Sequence, residues 1–212
     1  MKKISIALLA MFVIGAASCK KDESNPTPTT PTTPTTPTTP PTTPGGAVKN
    51  TAYLTTTANP SSGIYTGFSF ANNAAVSNAD TISTNWDFSL LFVTMHVNSH
   101  ASGPGQAGVQ VLDIPYSELT TAPESGYAYD TTAAKLAVKG GWYNYNPTTH
   151  NFAPIAGKTF VFKTADGKYA KLEMLEALPV NDSGEVVTPP TMPTQIKYKF
   201  NYTYQPDGSK NF

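Results

Sequence analysis

Few side chains in this sequence can hold a metal or attack a bond: there are three histidines, one cysteine and five methionines in 212 residues. His96 and His100 stand four apart in His96-Val97-Asn98-Ser99-His100, the spacing at which two imidazoles on a helix share one zinc ion. The glutamate of that motif is missing and the segment reads as strand. On a strand, residues four apart lie about 13 Å from each other with parallel side chains, so these rings cannot converge on one small ion. His96 shares strand parity with Trp86 and Phe88, which points to a partly buried packing role. His100 begins a glycine-rich loop, and His150 ends the polar turn Asn146-Pro147-Thr148-Thr149-His150. There is no glycine-rich phosphate loop, no nucleophile elbow and no paired acidic motif. The sequence reads as a binding protein and not as an enzyme.

The chemistry of Cys19 is of another kind. Lys2 and Lys3 precede an apolar stretch over residues 4–17, which has the length of a signal-peptide core. Spanning a bilayer takes roughly 20 apolar residues, more than this stretch supplies. It runs through Gly15-Ala16-Ala17-Ser18 into Cys19, a lipobox: small side chains admit the peptidase, and the thiol takes a thioether-linked diacylglycerol. Residues 1–18 are therefore expected to be a lipoprotein signal peptide and Cys19 the site of lipid attachment. Two or more acyl chains hold a protein stably on a membrane where one does not. Cys19 is also the only cysteine, so the mature chain has no internal disulfide and no thiolate metal site.

Residues 19–48 form the anchor and a linker that is nearly pure proline and threonine from 25 to 46. Proline fixes φ and removes backbone donors, so this disordered segment samples polyproline II. At about 3.1 Å per residue, some 20 residues reach roughly 60 Å. Such Thr-rich stalks also accept O-linked sugars.

Charge narrows the partners. The formal net charge is zero, and every basic residue is lysine. Phosphate and base-edge recognition rely on arginine forks and basic stripes, so nucleic acid is excluded as a partner.

Residues 49–212 read as one all-β, mostly antiparallel domain with little helix. β-branched and aromatic runs at 64–70, 86–98, 108–112, 141–145 and 159–163 are separated by Gly, Pro, Asn and Asp. The run at 86–98 is long enough to hold two strands. Thr164-Ala165-Asp166-Gly167 between two such runs supplies the positive φ of a tight hairpin. In the last strand Ile196, Tyr198, Phe200, Tyr202 and Tyr204 share one face, which should bury, while Lys197, Lys199, Asn201 and Thr203 share the other. A short helix is expected over 132–139.

The order of several motifs resembles the HmuY family of haem-binding surface lipoproteins of Bacteroidetes. These are Trp86-Asp87, Asn98 with the loop Ser102-Gly103-Pro104-Gly105-Gln106-Ala107-Gly108, Gly140-Gly141-Trp142, the hairpin from Phe160 to Lys171, and the C-terminal Tyr/Phe strand. The acidic pair in Lys20-Lys21-Asp22-Glu23-Ser24 resembles the surface-export signal of lipoproteins from the same phylum. The resemblance implies an all-β fold gripping haem in a cleft between loops. It also implies an outer-membrane, surface-exposed location, with haem or a host haemoprotein as partner and a TonB-dependent outer-membrane receptor taking the haem onward.

The best-known member of that family clamps the iron between two histidines, one in a long excursion before Gly-Gly-Trp and one a few residues after it. In this chain the excursion, 126–139, contains no histidine, and the second position falls at Asn146-Pro147, with His150 shortly beyond. The resemblance therefore makes His150 the expected axial ligand, opposed by His100 or by a thioether from Met95 or Met192. The alternative is a surface interaction or adhesion module of the same fold with a non-haem ligand.

Overall fold

The computed structural model describes residues 46–77, 82–147 and 151–212. The signal peptide expected at 1–18, Cys19, the linker up to residue 45 and His150 lie outside the described residues.

Among the described residues eleven strands pair, all antiparallel, into two sheets and a separate hairpin. The larger sheet runs in the order β1 (Val48–Thr57), β11 (Gln195–Gln205), β10 (Tyr169–Val180), β9 (Thr159–Lys163) and β6 (Gly108–Leu112). The smaller runs β3 (Ala74–Val76), β2 (Thr66–Ser69), β4 (Phe88–Leu91) and β5 (Thr94–Val97). The hairpin is β7 (Tyr143–Asn146) with β8 (Asn151–Pro154).

Alternation dictates the core. The expected inward face of β11 is buried at all five positions, Ile196 to Tyr204. Opposite it, β2 and β4 present Phe68 and Phe88. Phe68 meets Phe200 edge-on at 5.0 Å and Phe88 stacks with Phe162 at 5.4 Å, so aromatic rings seam the two sheets together. The outer face of β11 is less exposed than alternation alone requires, because a segment around Tyr116 and Leu119 lies over one end of it. There Lys171 Nζ donates to the carbonyls of Tyr116 at 2.7 Å and Leu119 at 2.6 Å, and lies 4.4 Å from the Tyr116 ring centre. Burial lowers the pKa of this lysine, and two carbonyls with a ring stand in for the water it has lost.

Two expectations are corrected. No helix forms at 132–139: Thr131 N–H and Lys135 N–H close local turns, and the Ala137 N–H is taken by the Asp130 carboxylate at 2.7 Å. That bond holds the segment against the fold, and Val138 beside it joins the core. Nor does His96 share the face of Phe88. The run from 86 to 98 folds back at Phe92-Val93, and the register pairs Phe88 with Val97, Ser89 with His96 and Leu90 with Met95. Opposed residues share a face, so His96 lies with Ser89, away from the core side that Met95 and Val97 occupy.

Candidate functional site

Several of the sequence motifs meet at one place in the structure. Asp87, directly after Trp86, accepts from Phe70 N–H at 2.8 Å and Ala165 N–H at 2.9 Å. Asn98 donates to the carbonyls of Ser83 and Trp86 and accepts from Gly105 N–H at 2.9 Å. A Cβ on Gly103 would lie 2.2 Å from Asn98 Oδ1, and one on Gly105 2.7 Å from the Asn98 carbonyl oxygen, so both positions require glycine. Trp86, Asp87, Asn98, the glycine loop and the Ala165-Asp166-Gly167 turn thus hold one end of the fold together. The polar side-chain atoms of Asp87 and Asn98 are used internally.

The other end carries an apolar slot. β10 outruns β9, and its second half packs against β8 instead. Beyond β10 the chain returns to β11 through a proline-rich strap, so that Pro179, Pro189, Pro190, Met192 and Pro193 face Phe92, Tyr145 and Asn151 across a slot of about 510 Å³. Two smaller hollows adjoin it. One is walled by Phe92, Val93, Tyr143, Tyr145 and Phe152; the other includes Phe152, Val186 and Leu175, the residue that the β10 bulge between Met174 and Glu176 leaves over. Met192 is 80% exposed and Tyr145 50% exposed, with Val186 and Leu175 also among the exposed large apolar side chains. Exposed apolar residues gathered at one place mark a binding surface more often than scattered ones do.

Phe92 is held against its preference at this place. Its φ is +52°, in the two-residue turn between β4 and β5, where glycine is the usual occupant. Tyr198 hydroxyl donates to its carbonyl from the core, and its ring meets Phe152 edge-on at 5.4 Å. A bulky residue in left-handed backbone costs about 1–3 kcal/mol, and such strain concentrates at ligand sites.

The candidate ligands are separated. Met95 is fully buried in the core. His96 stacks flat on Tyr65, ring centres 3.9 Å apart, and burial holds its pKa below the ordinary histidine value. His100 is exposed near the start of β6 and the end of β9, with Tyr129 against it. Counted along β10 from the Ala170 row to the Pro179 row, that is roughly 30 Å from the apolar slot. His100 is therefore not brought to the slot. Met192 lines it, and so does Asn151, the residue that follows His150 in sequence. Among the described residues no three His, Cys, Asp or Glu side chains gather as a metal site. Sequence reading missed Phe92, Tyr145 and the proline strap; the recurrence of proline around Met192 was the available signal.

No family model matches the chain, and no curated protein matches its sequence. Among solved structures it is similar to an apo HmuY analog from Tannerella forsythia at 17% identity and a TM-score of 0.49, covering 77% of this chain and 99% of that one. It is also similar to a Bacteroides vulgatus protein classed by inference as HmuY-like and heme-binding, at 18% identity and a TM-score of 0.43, covering 74% and 92%. A third likeness is to a Bacteroides fragilis protein classed by inference as a lipoprotein, at 12% identity and a TM-score of 0.44, covering 73% and 89%. The architecture above rests on its own strand register.

Proposed function

We propose that this chain is a haem-binding lipoprotein of the outer-membrane surface, a haem-capturing protein without catalytic activity, and that haem enters the apolar slot beside the β7–β8 hairpin. One observation carries the reading: a slot of about 510 Å³, walled by proline and aromatic side chains, has a solvent-exposed thioether, Met192, at its edge. The residues present fit haem. The prolines and Phe92 suit the porphyrin faces, the amide of Asn151 and the hydroxyl of Thr191 suit propionates, and Met192 offers a soft ligand to iron. His150, adjacent in sequence to Asn151, is the histidine we assign as the second iron ligand on the strength of the family resemblance. Haem is the cargo here: it brings the iron, and the protein keeps the faces dry and the iron ligated. The lipobox at Cys19, the Pro/Thr linker and the ordered motifs shared with the HmuY family support the surface location and delivery to a TonB-dependent receptor.

A haemin titration read at the Soret band tests this, in the ferric and the ferrous state. Wild type gives a saturable shift. Met192→Ala and His150→Ala each move the maximum and weaken binding, with Met192→Ala acting more on ferrous haem. His100→Ala leaves both unchanged. No saturable Soret change in either state refutes the haem reading and leaves a non-haem surface ligand as the better account.

A further inference from the structure

The hollow at the end held by Asp87 and Asn98 has donors and no acceptor acids. It measures about 460 Å³ and is lined by His100, Gly103, Pro104, Gly105, Gln106, Tyr129 and Lys163. No carboxylate lines it. Two acids nearby are consumed inside the protein, Asp87 by Phe70 and Ala165 N–H and Asp130 by Val97 and Ala137 N–H; a third, Asp166, is exposed and is paired with Thr164 hydroxyl and Lys168. By contrast, among the described residues the side chains of His100, Gln106 and Lys163 make no hydrogen bond or ion pair. Lys158, Lys168, Lys199 and Lys210 each have a carboxylate.

The frame of the hollow is rigid. Gly103 and Gly105 are packed on Asn98 with no room for a Cβ, Gln106 N–H is bonded to the Ala165 carbonyl at 3.0 Å, and Tyr129 lies across Gly108, where a Cβ would meet its ring at 2.8 Å. His100 is held at a φ of +45°, unusual for a side-chain-bearing residue, by bonds on either side: Ser99 N–H to Val97 and Ala101 N–H to Asp130. A backbone frame fixed in advance sets where the donor side chains start from and lowers the ordering cost of meeting a ligand.

We infer that this hollow binds the carboxylate of a small ligand, with the Lys163 ammonium as its counter-charge and the His100 imidazole and Gln106 amide as hydrogen-bond donors. Tyr129 lends an apolar plate for the rest of the molecule. The carboxylate belongs either to an acidic sugar or to a free short-chain acid. The site is independent of the haem reading, since it lies at the opposite end of the large sheet.

Amide chemical shifts of the full chain test this, recorded at constant ionic strength with sodium glucuronate, sodium succinate and glucose. Saturable shifts at Gly103, Gly105 and Gln106 are expected with at least one of the two acids and not with glucose. The acid that binds more tightly identifies the source of the carboxylate. Lys163→Met should weaken binding by about tenfold, the worth of one charge-assisted hydrogen bond. His100→Gly, which keeps the backbone conformation, should weaken it less. Unchanged amide shifts outside the hollow certify that both variants are folded. Absence of shifts with both acids, equal shifts with glucose, or full binding by Lys163→Met overturns the proposal.

Discussion

The carboxylate of Asp87 accepts the backbone N–H of Ala165 at 2.9 Å, joining the start of β4 in one sheet to the β9–β10 turn of the other. Its second oxygen takes Phe70 N–H, so one side chain satisfies two buried donors from separate segments. Burial pushes its pKa up to about 6, against which these two bonds pull downward.

The sign of the resulting pH dependence is fixed. The folded pKa exceeds the ordinary 3.8, so the folded state binds the extra proton. The stability contributed is complete below about pH 4 and is lost as pH rises through 6. Two pH units correspond to about 3 kcal/mol. Urea denaturation at pH 4, 5, 6 and 7 should show wild type losing about that much relative to Asp87→Asn, which has no titrating group.

Trp86 is buried between Gly67 and Gly103, with would-be Cβ atoms 3.1 Å from its side chain on both sides. Trp86→Ala should destabilise the domain by roughly 3–5 kcal/mol. The indole N–H finds no acceptor among the described residues, so Trp86→Phe should cost clearly less. Gly103→Ala, which drives a methyl into Asn98, should cost about 1–3 kcal/mol. Denaturation midpoints of the three variants check the order.

For Phe92 the informative comparison is between two truncations. Both Phe92→Ala and Phe92→Gly remove the ring, but only glycine adopts a φ of +52° without strain. Phe92→Gly should therefore be the more stable of the two by about 1 kcal/mol, an inversion of the usual order. Equal midpoints would show that the turn relaxes once the ring is gone.

Cys19→Ala should abolish acyl labelling and release the protein from the detergent-extracted membrane fraction. Membrane retention equal to wild type would mean that something other than lipid on Cys19 holds it there.

Strands that alternate over a long stretch were legible in the sequence, β11 above all, because period-two burial is written in residue types. So were the Asp-Gly hairpin and the bounds of β6 and β9. The reversal at Phe92 was not, since its turn uses Phe-Val where glycine or asparagine would have announced it, and this hid the face on which His96 lies. The helix expected at 132–139 failed for a related reason: its fate is set by Asp130, whose carboxylate captures Ala137 N–H, a tertiary choice that local propensity does not contain. At the site, the histidines in the described residues do not build the slot. The slot itself is made from prolines and aromatics whose convergence depends on β10 outrunning β9.

The ten-residue pairing of β1 with β11 has a mechanical consequence. The chain enters the domain at Val48, and β1 runs unbroken from there to Thr57, near which the apolar slot lies. A pull arriving through the preceding chain, and resisted by whatever occupies the slot, acts along the strands and not across them. All the hydrogen bonds of the ladder then share the load in shear, instead of parting one after another as in a zipper. The first described strand is thereby joined to its neighbour in the geometry that best resists being drawn out of shape.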